Sequence, residues 1–88
     1  MRVTLLDNSL ILCNFDRVDD KLLYKQAKVL LEDAGAMFDQ EVIGPSENIY
    51  YGVLDGDEIA LVLDLNYGAE VRSANTACLS KIEQILRK

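Results

Sequence analysis

Apolar positions along this chain alternate between two spacings, and each change of spacing marks an element. Val3 to Leu6 and Leu10 to Phe15 are short apolar runs joined by Asp7-Asn8-Ser9, which reads as a hairpin because Asp and Asn tolerate turn geometry. A helix follows, capped by Asp16 or Asp19, with Asp19 and Asp20 in a first turn that favours negative charge. Leu23, Ala27, Leu30 and Ala34 form its apolar stripe, widened by Leu31 and Tyr24. Lys21, Lys25, Lys28 and Glu32 fall on the opposite side, and Gly35 stops the helix. Ala36 to Ile43 then reads as a strand, and 44–48 (Gly-Pro-Ser-Glu-Asn) as a loop. Ile49 to Leu54 and Glu58 to Asn66 flank Asp55-Gly56-Asp57, the strongest hairpin signal in the chain. After a turn at Tyr67-Gly68 comes a short strand, Ala69 to Arg72. Ser73 or Asn75 then caps a closing helix with Cys78, Leu79, Ile82, Ile85 and Leu86 on its buried stripe.

The order is β-β-α-β-β-β-α. Such a pattern predicts an α+β two-layer sandwich, its antiparallel or mixed sheet covered by two helices on one face. Ile59, Leu61, Leu63 and Leu65 should face the helices, together with Ile11, Cys13, Phe15, Tyr51, Val53 and either Phe38 or Met37. The uncovered face should then carry Asp39, Glu41, Glu58 and Asp64, with Leu10, Leu12, Tyr50, Leu54 and Val62 between them. Strand order is not legible in the pattern.

The length of 88 residues suits a single globular domain spanning 1–88. A chain of this size buries roughly 60–65% of its unfolded surface. It should be stable by about 5–9 kcal/mol. Half the residues are apolar, too many for a disordered chain. Cys13 and Cys78 are too few for a disulfide framework and lack metal-ligand spacing, so both read as reduced core residues. Asp7 and Asn8 interrupt the apolar start before a signal sequence forms, and no run is long enough to span a membrane. A cytoplasmic setting is the expectation.

Charge supplies the functional clue. Between Lys28 and Arg72 there is no lysine or arginine but there are ten carboxylates, and the chain carries a net charge of −6. Such segregation should give a basic helix layer (Lys21, Lys25, Lys28, Lys81 and Arg87) and an acidic sheet face. The net charge opposes nucleic-acid binding. There is no histidine, so the commonest general base and metal ligand is missing, and there is no glycine-rich phosphate loop. Asp55-Gly56-Asp57-Glu58 has oxygen ligands for a hard cation but not the loop length of a calcium site, and it reads as a turn. No catalytic residue, metal site or cofactor is expected.

The strand Leu10 to Asp16, the helix end Leu30 to Ala36, and the hairpin Ile49 to Leu65 followed by Asn66-Tyr67-Gly68 resemble small uncharacterised bacterial domains of this length. That resemblance implies a helix set between a hairpin and a three-strand meander, with a closing helix, and it implies no chemistry. In size and acidity the chain is also similar to bacterial toxin-immunity proteins and phage-encoded inhibitors. The expectation is therefore a non-enzymatic interaction protein that binds a basic protein surface through its acidic sheet face. Its contact residues would be Asp39, Glu41, Tyr50, Asp55, Asp57, Glu58 and Asp64. The competing expectation is a structural domain that pairs with a second copy of itself through the open sheet or an exposed edge strand. Neither nucleic acid nor membrane is an expected partner.

Overall fold

A computed structural model describes residues 2–6, 9–13, 20–64 and 68–87. Its elements are β1 (Arg2–Leu6), β2 (Ser9–Cys13), α1 (Asp20–Asp33), β3 (Met37–Ile43), β4 (Glu47–Leu54), β5 (Asp57–Asp64), β6 (Gly68–Arg72) and α2 (Thr76–Leu86). The six strands form one antiparallel sheet in the order β1-β2-β6-β5-β4-β3. Strands β3 to β6 are a meander, and the N-terminal hairpin joins it by pairing β2 with β6. This is the α+β layout that the pattern predicts, with every strand pair antiparallel.

Both helices lie on one face. α1 crosses β5 and β6, α2 lies over β1 and β2, and the helices touch each other. The core between the layers takes Leu23, Tyr24, Ala27 and Leu31 from α1 and Cys78, Leu79, Ile82 and Leu86 from α2. From the sheet it takes Val3, Leu10, Leu12, Leu54, Ile59, Leu61, Leu63, Ala69 and Val71. Burial of such side chains contributes roughly 1.5–3 kcal/mol each.

Local chemistry sets the ends of the elements. Gly35 adopts φ 105°, the left-handed conformation that ends α1. The Ala36 N–H donates to the Leu31 carbonyl at 2.9 Å and the Gly35 N–H to the Glu32 carbonyl at 3.0 Å, which satisfies carbonyls the helix leaves open. Asn75 caps α2, its side-chain oxygen accepting from the Ala77 and Cys78 N–H groups. Ser73, the other candidate cap, is buried and donates to the Glu58 carbonyl. Asp55 (φ 51°) and Gly56 (φ 86°) are the two positive-φ residues of a tight β4–β5 hairpin. The loop before β4 is shorter than its composition suggests. Glu47 and Asn48 already pair with Asp64 and Leu63, leaving only 44–46 outside the ladder. The expected Asp7-Asn8 turn, the caps Asp16 and Asp19, Phe15, Leu65 and the side chain of Cys13 lie outside the described residues.

The assignment of side chains to faces needs correction in three strands. Ile59, Leu61, Leu63 and Phe38 meet the helix layer as expected. Tyr50 pairs with Leu61, and Leu10 pairs with Val71, which pairs with Leu61 in turn. Leu10, Leu12, Tyr50 and Leu54 therefore share the covered face, while Ile11, Tyr51 and Val53 point to the open one. The cause in β2 and β4 is that both alternating sets are apolar, so periodicity alone does not choose between them. In β3 the cause is a bulge. The register shifts between Phe38 and Gln40, so Phe38 and Glu41, three residues apart, lie on the same covered face. Simple alternation would have put Glu41 with Asp39.

Gly52 permits this arrangement. A Cβ there would lie 2.5 Å from the Met37 carbonyl oxygen and 2.7 Å from Phe38 Cδ1. Only a residue without a side chain lets the bulged edge strand and its phenyl ring pass so close.

Candidate docking surface on the open sheet face

The open face is built from alternate residues of all six strands. In register across its centre run Thr4, Ile11, Glu70, Val62, Ile49 and Val42. The next row is Ser9, Arg72, Ala60, Tyr51 and Gln40, and beyond it lie Glu58, Val53 and Met37. Val62 is wholly buried and Ile49 nearly so, although neither joins the core cluster under the helices. Toward the β3 edge protection fails. Met37 is 77% exposed, Tyr51 44%, Val53 41% and Val42 40%. Four adjoining apolar side chains thus meet solvent on two neighbouring strands.

Carboxylates bracket this strip. At one end Glu47 sits opposite Asp64 across β4 and β5. At the other, Asp39 and Glu58 border an open depression of about 210 Å³ lined also by Tyr51, Gly52, Val53 and Ile59. On the β6 side the strip ends at Glu70, whose carboxylate accepts from Arg72 Nε at 3.0 Å and from its terminal nitrogen at 2.5 Å. Arg72 thus stands on a face that also carries five carboxylates. An apolar centre with a polar rim is the composition of a contact surface.

Three of the seven residues expected to bind a partner lie on this face, Asp64 at one end and Asp39 with Glu58 at the other. Glu41 and Tyr50 do not. They belong to a cluster at the edge of the helix layer. There the Tyr24 hydroxyl donates to Glu41 Oε2 at 3.1 Å, the rings of Tyr24 and Tyr50 stack at 5.3 Å, and Phe38 meets Tyr50 edge-on at 5.9 Å. Lys28 Nζ, bonded to Glu32, stands 5.0 Å from the Tyr50 ring centre. Burial, then the bond to Glu41, holds the Tyr24 hydroxyl well above the usual tyrosine range. Tyr50 is raised as well, again by burial first. The cluster fastens β3 to α1.

Asp55 and Asp57 sit on the hairpin tip with internal partners. Asp55 accepts from Lys81 at 2.5 Å, and Asp57 accepts from the Asn75 side chain at 2.9 Å. The bond to Asp55 raises Lys81 above the ordinary lysine value. These contacts join the tip to the start of α2. They also correct the expected separation of charge. The helix layer is not uniformly basic, since Glu32 pairs with Lys28 and Glu83 with Arg87. Arg72, for its part, lies on the acidic side. Asymmetry survives on the open face alone.

The exposed apolar residues Met37, Val42, Tyr51 and Val53 were the part of this surface that alternation missed. The Asp-Gly turn contained the missing signal. A two-residue loop at Asp55-Gly56 forces Leu54 opposite Asp57 and hence Tyr50 opposite Leu61, which fixes the face of every β4 side chain.

Cys78 lies on the buried side of α2 and its thiol is raised, chiefly by that burial, which opposes reactivity. No group of three His, Cys, Asp or Glu side chains among the described residues could hold a metal ion. No described helix is long and apolar enough to cross a membrane. Comparison with known proteins finds no matching family model, no matching curated protein and no matching solved structure.

Proposed function

We propose that this chain is a non-enzymatic docking domain that holds a basic protein surface on the open face of its sheet. One observation carries the reading. Met37, Val42, Tyr51 and Val53 are exposed side by side inside a rim formed by Asp39, Glu47, Glu58 and Asp64. Exposed apolar side chains scattered singly are ordinary on a protein surface, whereas a contiguous set within a charged rim is what contact sites use. The rim selects the sign of the partner. Two carboxylates ~10 Å apart in water repel by about 0.4 kcal/mol, and a cation seated between them replaces that repulsion with attraction. Electrostatic steering of this kind speeds capture and weakens as salt rises.

The second reading, self-association, draws on the exposure of Met37 and Ile43 on the edge strand β3. Two β3 strands paired antiparallel about Gln40 would have to pair through the bulge, which leaves Met37 on the open face and Ile43 on the covered one. The bulge interrupts the ladder such pairing needs, and Asp39 and Glu41 from each copy would gather four carboxylates along one seam. Stacking two open faces would likewise appose ten carboxylates. The heterologous reading is therefore preferred.

Capture of proteins at low and high salt tests it, comparing the natural chain with Asp39→Lys, Glu58→Lys and Asp64→Lys together, and with Asp33→Lys on the helix layer. Partners held at low salt should be lost from the triple variant and kept by Asp33→Lys. Equal capture by both variants would refute the open face as the site. Light scattering that shows a concentration-dependent dimer would favour self-association instead.

A further inference from the structure

We infer that the occupant of the open face is an amphipathic helix of about three to four turns with basic residues near both ends. This deepens the docking reading and depends on it. The apolar strip covers three strands, β3 to β5, from Met37 and Val42 through Tyr51, Val53 and Ile49 to Val62 and Ala60. Strands lie ~4.8 Å apart, so the strip is roughly 10 Å wide between its outer strands. That is the diameter of one α-helix with its side chains, about 10–12 Å. A partner sheet as wide as this one would also meet the Glu70–Arg72 pair on β6.

Length and charge agree with width. Glu58 and Asp64 lie six residues apart on β5, and Glu47 and Val53 are equally spaced on β4. At ~3.3 Å per residue the two acidic ends are roughly 20 Å apart. A helix rises ~1.5 Å per residue, so about 11–14 residues cover that span. Lysine or arginine at both ends would meet Glu47 at one acidic end and Glu58 with Asp39 at the other. Apolar residues at i, i+3, i+4 and i+7 between them would cover Val42, Tyr51, Val53 and Met37. Seating it completes a three-layer arrangement, with helices on both sides of one sheet.

The test is a titration of the ¹⁵N-labelled 88-residue chain, followed by amide shifts and circular dichroism. Three peptides of about 16 residues are compared at about 50 mM salt: an amphipathic helix with lysines about eleven residues apart, a scrambled peptide of the same composition, and the helix with glutamate replacing lysine. The helical lysine peptide should shift the amides of Val42, Tyr51, Val53 and Glu58, gain helicity, and bind about tenfold more tightly than the scrambled one. Glu47→Lys with Glu58→Lys should remove about that factor. Equal binding of the scrambled peptide on the same residues would overturn the helical occupant and leave the docking reading standing. Failure of both lysine peptides to shift the open face, or tight binding of the glutamate peptide there, would overturn both.

Discussion

Leu61 and Val62 are neighbours in β5, both wholly buried, and they live in different environments. Leu61 points into a core closed by two helices. Val62 points to a face that no described helix covers, and it is enclosed at the centre of a row that becomes exposed two strands away at Val42. On the covered side apolar residues are buried by a second layer. On the open side they are buried only where the sheet's own side chains suffice, and toward β3 they do not suffice. The contrast distinguishes apolar residues that hold the fold from those left over for contact.

The largest expected effect is the gap between the two faces. Leu61→Ala should cost about 2–5 kcal/mol, a large share of total stability, by opening a cavity in the core. Tyr51→Thr on the open face should stay within about 0.5 kcal/mol. Urea denaturation of both variants measures the difference, and a similar cost for each would erase the contrast between faces. Next comes Gly52→Ala, where the added methyl meets the Met37 carbonyl and the Phe38 ring. A loss of about 1–3 kcal/mol is expected, and because the nearest atom is backbone, β3 itself must shift. Faster hydrogen exchange along β3 would report it.

Tyr24→Phe is the smallest and the most diagnostic. It removes one partly buried hydrogen bond, worth about 1 kcal/mol near neutral pH. The folded state holds the Tyr24 proton more tightly than the unfolded chain does. The corresponding stability is present below the ordinary tyrosine pKa of about 10 and is lost as pH rises above it. Denaturation between about pH 8 and 11 should show the natural chain losing stability and the variant losing less. Parallel curves would mean that another group drives the alkaline loss.

The element order was legible because each signal was local: the Asp-Gly hairpin, the i, i+4, i+7 stripe of α1, the glycine that stops it and the asparagine that caps α2. The faces of β2, β3 and β4 were less so. Leu10 and Ile11, or Tyr50 and Tyr51, are equally apolar neighbours, and only pairing with β6 or β5 decides which enters the core. The bulge in β3 depends on a ring passing over Gly52, a relation between two strands that no single strand records. For the candidate surface, Asp39, Glu58 and Asp64 followed from charge and parity. The engagement of Asp55, Asp57 and Glu41 by Lys81, Asn75 and Tyr24 is set by tertiary approach. A run of carboxylates in sequence therefore did not become a run of available carboxylates in space.

The position of β6 between the N-terminal hairpin and the meander also bears on how the chain folds. β3 to β6 can zip up through successive short connections, each closed at small entropic cost. Joining Ser9 to Arg72 requires segments near opposite ends of the chain to meet, and such non-local pairing slows folding. Until that seam closes, β6 is an unsatisfied strand edge. The same β2–β6 seam that makes the sheet continuous is thus where a partly folded chain would be most open to pairing with another molecule.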